Sequence, residues 1–194
     1  MSLSRDTDAL AHLTTGYEPK LLEIADDSDP LLLKVSEPVP VEEIACSETQ
    51  HLIRDMIKTM YAAPGIGLAA PQVRILRRII VFYLPAARDD VNKSGVPLTV
   101  LINPNVMFLD DNKVSDYEGC LSVPGKRGLV SRANKIRYRG LNERGEPIDV
   151  IAEGWHARLV QHEFDHLNGI LYPSLMAQED KLLTVDEWKA LTGK

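Results

Sequence analysis

The chain of 194 residues holds only two cysteines, Cys46 and Cys120. Two thiols make no disulfide framework, so the expected setting is a reducing compartment, where a cysteine that matters is a metal ligand or a nucleophile. Long apolar runs are missing too. The longest, Ile79–Leu84 and Leu98–Ile102, are strand-sized and well short of the roughly 18 residues of a membrane span. No membrane partner is expected. Basic charge is in deficit, since 22 Lys+Arg against 28 Asp+Glu leave a net charge of −6. That balance excludes nucleic-acid binding by bulk charge, and no specific DNA binding is expected. The N-terminus carries Asp6 and Asp8 and no continuous apolar stretch, so it reads as neither a secretory signal nor a transit peptide.

What is present is the composition of one globular domain, with 44 % hydrophobic and 26 % charged residues. Residues 1–20 are polar and without clear periodicity, and read as an extension to a catalytic domain over 21–194. A helix is expected over Glu48–Ala63, opened by Ser47 with Gln50 three residues on as a capping box, and stopped by Pro64-Gly65. Leu52, Ile53, Met56, Ile57, Met60 and Tyr61 form its apolar stripe. Strands are expected at Arg77–Leu84 and Leu98–Ile102, ended by Pro85 and by Asn103-Pro104, and at Lys135–Arg139 and Ile148–Ala152. A second helix spans about Trp155 to Asn168, closed by Gly169. A short last helix follows Thr184, capped by Thr184 or Asp186. Strands in the middle and helices at the ends give α+β: one domain, antiparallel sheets around a central helix.

That second helix carries the sharpest signal, His162-Glu163-Phe164-Asp165-His166, an H-E-x-x-H. Imidazoles four apart on a helix share one face, so both reach one metal ion, and Glu163 is placed to act as general base on a water in an open position. A third protein ligand is needed. Glu187 lies 187 − 166 = 21 residues downstream, and Cys120 lies 162 − 120 = 42 residues upstream in Glu118-Gly119-Cys120-Leu121-Ser122. A thiolate suits iron, cobalt or zinc. A further segment, Gly65-Ile66-Gly67-Leu68-Ala69-Ala70-Pro71-Gln72, lacks the third glycine and the Lys-Ser/Thr of a phosphate loop. Its small residues suit backbone lying against a ligand, with Gln72 its one amide donor.

Together and in order, these three segments resemble the signatures of peptide deformylase: G-x-G-x-A-A-x-Q at Gly65–Gln72, E-G-C-L-S at Glu118–Ser122 and Q-H-E-x-D-H at Gln161–His166. The resemblance covers roughly residues 20–175. It implies removal of the formyl group from N-formylmethionine on nascent peptides, with Cys120, His162 and His166 as metal ligands and Glu163 as acid and base. Gln72 and the backbone N–H of Leu121 become oxyanion donors. Gly65, Gly67 and Gly119 become the cradle of the substrate backbone, with Arg127 near it. One divalent ion is implied, Fe2+ as the native metal, with Zn2+, Ni2+ or Co2+ able to take its place. Ile66 and Leu159 are candidates for the methionine pocket, or equally plain core. The implied location is the cytoplasm of a bacterium, with an organellar origin left open.

From Gly119 to Asn142 there is no acidic residue but six basic ones, Lys126, Arg127, Arg132, Lys135, Arg137 and Arg139. Two readings compete: a solvated face with internal pairs to carboxylates such as Glu118, or a patch for transient contact with the ribosome.

Overall fold

Alternate side chains of Ile79–Leu84 point to opposite faces, and both sets are apolar, so this strand must be covered twice. A computed structural model, describing residues 16–193, shows how. Ile79 and Val81 pack with Ile53, Met56, Ile57 and Met60 of a helix on one side. Ile80, Phe82 and Leu84 pack with Ala157, Val160 and Leu167 of a second helix on the other. In chain order the helices are α1 (Val41–Ile44), α2 (Ser47–Ala62), α3 (Gly154–Leu167) and α4 (Val185–Thr192). The strands are β1 (Gly67–Ala69), β2 (Ile79–Leu84), β3 (Val96–Phe108), β4 (Lys113–Cys120), β5 (Val123–Ala133), β6 (Lys135–Leu141), β7 (Pro147–Glu153) and β8 (Leu183–Thr184). The paired neighbours are all antiparallel, in a five-stranded sheet of order β1-β2-β3-β6-β7 and a three-stranded sheet of order β4-β5-β8. Helix α3 lies between them, so the α+β architecture around a central helix is the one observed.

The second sheet is latched to α3 by side chains. Gln161 accepts from the Ala133 N–H at 3.2 Å and donates to the Ala133 carbonyl at 2.9 Å. Arg158 donates to the Val130 carbonyl at 2.9 Å. These side-chain bonds to the backbone of β5 hold it against the helix.

Several local expectations are corrected. Cys46, not Ser47, occupies the cap position of α2, and Ser47 is the first helical residue. Gln50 does not reach back to close a capping box. Its amide donates to the carbonyls of Ile44 and Glu143 at 2.7 and 2.8 Å. Strand β3 does not stop at Asn103-Pro104 but runs on to Phe108 through a bulge, where the register shifts between Ile102 and Asn105. Asn103 takes φ 51° there, and its amide spans Val39, donating to the carbonyl and accepting from the N–H at 2.8 Å each. Pro104 is tolerated because the bulge needs no N–H from it. Strand β3 pairs with β2 up to Ile102 and with β6 from Ile102 onward, so the bulge lies just past the one residue that pairs with both. Strands β4 and β5 were not expected at all.

Thr184 caps α4 and shares a capping box with Glu187. Residues 1–15 of the expected extension lie outside the described residues. Within the remainder, the Tyr17 hydroxyl donates to the Asp55 carboxylate on α2 at 2.8 Å, and its ring stacks on His51 with centroids 3.7 Å apart. No helix among the described residues is long and apolar enough to cross a membrane.

Candidate metal centre

One face of α3 is given to the sheet through Ala157, Val160 and Leu167. The adjoining face carries His162 and His166, one turn apart, with ring centroids separated by 5.0 Å. Cys120 arrives from the end of β4, where the hairpin register shifts between Glu118 and Cys120. Its Sγ lies 3.3 Å from His166 Nε2. One ligand atom from each of Cys120, His162 and His166 falls within 4.8 Å of the others. That spacing fits a single ion with bonds of about 2.0–2.3 Å to nitrogen and sulfur. Glu187 does not join this cluster, because its carboxylate is engaged by Thr184 at 2.6 and 2.7 Å. Of the two alternatives for a third ligand, the fold brings Cys120.

The centre rests on a buried carboxylate, Glu118, which the sequence offered as an internal partner of the basic stretch but not as a support for His162. Glu118 is 3 % exposed and is gripped by Arg132 through two bonds of 2.9 Å, by Arg158 at 2.7 Å and by His162 Nδ1 at 2.8 Å. Burial alone would raise the Glu118 carboxyl, but the bonds from Arg132 and His162 hold it well below the usual range. An ionised carboxylate only accepts, so His162 Nδ1 carries the proton of that bond; against the effect of burial, Cys120 and Glu118 raise His162 well above the usual histidine value, and a metal ion would take the place of the proton on Nε2. Arg132 also pairs with Asp165, one residue before His166. Arg158 stands four residues before His162 on the same face of α3, and this spacing was the available sequence signal.

Glu163 is buried, and its Oε2 has no hydrogen-bond partner among the described residues. Burial pushes its carboxyl up to about 7, against the opposing pull of His162. A base of that strength matches proton transfer near neutral pH. Burial likewise drives His166 well below the ordinary histidine value, which favours the neutral imidazole a metal requires. Gln72 is 1 % exposed. Its Oε1 accepts from the Ala69 N–H at 2.9 Å, which turns Nε2 toward Ser122 Oγ at 3.1 Å and Cys120 Sγ at 3.5 Å.

A cleft of about 760 Å³ opens onto this cluster. Gly65, Ile66, Gly67 and Gln72 line one side, and Gly119, Cys120, Leu121 and Arg127 another. Leu159, His162 and Glu163 form its floor, while His166, at 1 % exposure, lies behind it. Leu159 and Ile66 both pack in the core and line the cleft. Trp155 and Trp188 also line the cleft, and neither was singled out in the sequence. Two glycines are there because side chains need their space. A Cβ on Gly67 would overlap the Glu163 carboxylate, and one on Gly119 would overlap the Arg127 guanidinium. Of the six basic residues after Gly119, Arg132 pairs with Glu118 and Asp165, Lys135 with Glu153, and both Arg137 and Arg139 with Asp149.

A thiol and two imidazoles facing one point, with an unpaired carboxylate beside them at the end of a cleft, make the kind of site used by mononuclear metallohydrolases. Comparison with known proteins narrows the class. Residues 21–182 match the family described as polypeptide deformylase. Peptide deformylase 2 of Pseudomonas syringae pv. tomato is 44 % identical over 158 residues, covering 81 % of this chain and 88 % of that protein. Peptide deformylase 2 of Ralstonia nicotianae is 48 % identical over 145 residues, 75 % of this chain and 81 % of that one. Among solved structures, the Ehrlichia chaffeensis peptide deformylase in complex with actinonin superposes with a TM-score of 0.74 at 36 % identity, over 82 % of this chain and 90 % of that chain. The class I type b enzyme of Acinetobacter baumannii with Met-Ala-Ser bound gives a TM-score of 0.74 at 33 % identity, over 82 % and 100 %. The chain belongs to the polypeptide deformylase family, metal-dependent enzymes that remove the N-terminal formyl group from newly made polypeptides.

Two substitutions probe how the centre is held. Gly67→Ala should leave the fold intact but displace Glu163, lowering turnover of a formyl-methionyl peptide by about 10²-fold, the cost of roughly 1 Å of misplacement. Steady-state kinetics beside a thermal melt will read this. Glu118→Gln should weaken metal binding about 10–100-fold, as loss of an outer hydrogen bond to a ligating histidine does. An unchanged affinity in a metal titration would show that His162 needs no such support.

Proposed function

We propose that Cys120 Sγ, His162 Nε2 and a ring nitrogen of His166 hold one divalent ion, and that Glu163 works beside it on the formyl group of N-formylmethionyl peptides. The observation that carries the reading is the buried, unpaired Oε2 of Glu163 next to the three clustered ligand atoms. The orphaned polar atom calls for a partner that moves a proton, and a closed structural site would have no use for it. An ion held there supplies Lewis acidity and makes water acidic enough to ionise near neutral pH.

The residues' tasks follow. Glu163 takes a proton from the attacking water as its oxygen adds to the formyl carbon. Gln72 Nε2 and the Leu121 N–H donate to the oxygen that gains charge, and loss of one such donor typically costs about 10²–10³ in rate. Glu163 then gives its proton to the amine as the C–N bond breaks, releasing formate and a free amino terminus. A formyl group has only hydrogen beyond its carbonyl. The wall at Gly65, held within 2.8 Å of Leu121 Cδ1 for any added Cβ, suits such a small group and crowds larger acyl chains. Ile66 and Leu159 take the methionine side chain.

Fe2+ is the proposed native metal, with Zn2+, Ni2+ or Co2+ accepted by the same ligands. The catalytic domain is placed at 21–194, and the reducing cytoplasm of a bacterium suits the thiolate ligand. Transient ribosome contact would fall to Lys126 and Arg127, the two members of the basic stretch without a salt bridge among the described residues.

Hydrolysis of formyl-Met-Ala-Ser by iron-loaded protein prepared without oxygen is the direct test. Glu163→Gln should keep its metal and lose at least about 10²-fold in kcat; turnover near the wild-type rate would remove Glu163 from the mechanism. Cys120→Ala should lose the metal in an elemental analysis and Glu187→Ala should keep it. The reverse pattern would favour an endopeptidase-type ligand set.

A further inference from the structure

Helix α4 lies beyond residue 182, where the match to the family ends, yet it borders the cleft. Two local features set it there. Strand β8 pairs Leu183 with Arg127 and Thr184 with Lys126, so the chain is pinned to the β5 edge just before the helix begins. The capping box of Thr184 and Glu187 then starts α4 without an intervening loop. Val185 and Trp188, three apart and therefore on one helical face, line the cleft.

Trp188 is not there to build the core. Among the described residues it belongs to none of the hydrophobic clusters, and α4 contains no buried residue. Its indole N–H is buried without a hydrogen-bond partner among the described residues, a cost that the fold does not recover through that group. What the ring does meet is Arg127, whose guanidinium carbon stands 5.6 Å from the ring centroid. That guanidinium also fills the space a Cβ on Gly119, the residue before Cys120, would need. Arg127 thus links Gly119, next to Cys120, to the Trp188 ring, and all three line the same cleft. An extended peptide advances about 3.3 Å per residue, so the substrate residues after the methionine are the ones that reach along the cleft beyond the cluster.

We infer that Trp188, with Val185, is a specificity-determining contact for the substrate residues that follow the methionine, favouring aromatic or long aliphatic side chains there over small ones. The inference rests on the deformylase reading above. The occupant follows from continuity, because Trp188 lines the same cleft that the methionine enters. The contact it offers is apolar and aromatic, and its polar tip is turned away from use.

The test compares kcat/KM of the full-length, metal-loaded protein for formyl-Met-Ala-Ser, formyl-Met-Phe-Ser and formyl-Met-Ala-Phe. The wild type should prefer one of the phenylalanine peptides by about 10-fold, the scale of one added apolar contact in a pocket. Trp188→Ala should collapse that ratio to within about twofold, mainly through KM, and Trp188→Phe should restore most of it. Val185→Asp, which leaves the contact between Arg127 and Trp188 untouched, should erode the preference too and serves if Trp188→Ala does not fold. A wild type without preference, or a preference that survives both substitutions, overturns the inference. So does an equal loss on all three peptides, since that would mean Trp188 acts only by supporting Arg127. A wild type that deformylates none of the peptides would instead overturn the reading of the reaction.

Discussion

The site depends on one buried carboxylate. Glu118 accepts from Arg132, Arg158 and His162 at once, and these donors come from β5 and two successive turns of α3. A lone carboxylate at that depth would be prohibitively costly, and two buried guanidiniums without it would be worse. Together they neutralise one another and fasten the β4–β5 hairpin to the helix. Because Glu118 is two residues from Cys120, fastening the hairpin also delivers the thiol. Because it binds His162 Nδ1, the same bond selects which nitrogen is left for the metal. Structural docking and ligand orientation are therefore a single interaction, and neither can loosen alone.

Around that anchor the cleft is shaped by what is left out. Gly67 and Gly119 leave room for the Glu163 carboxylate and the Arg127 guanidinium, and the backbone at both places comes close to the reacting centre. Gln72 is held by the turn it sits in, since its own Ala69 N–H fixes the amide oxygen and directs the NH2 group inward. Glu163 Oε2 has no hydrogen-bond partner among the described residues, and burial is the main cause that raises its carboxyl. Such groups are expensive to the fold and useful to the reaction.

Much of this was legible in the residues. The stripe from Leu52 to Tyr61, the run Ile79–Leu84, the alternation through Ile136 and Tyr138, and the stop at Gly169 all encode their elements within a few neighbouring positions, where period and punctuation suffice. The His162–His166 pair is legible for the same reason: helical geometry alone puts both rings on one face. The misses share a cause. Strands β4 and β5 carry polar, half-exposed side chains without clean alternation, and are strands because they pair with each other and dock on α3. Asn103-Pro104 looks like a stop locally, but Asn103 bonds Val39, sixty-four residues away, and the strand continues.

The sequence by itself determined the class of chemistry, because the two imidazoles and Glu163 are arranged by one helix and three collinear motifs identify the family. Only the tertiary structure brings Cys120, and not Glu187, to the two imidazoles, since that is set by which distant segment packs against α3. It alone also assigned Glu118 its bond to His162 and set Trp188 at the mouth of the cleft. Those contacts join residues tens of positions apart, and no local period records them.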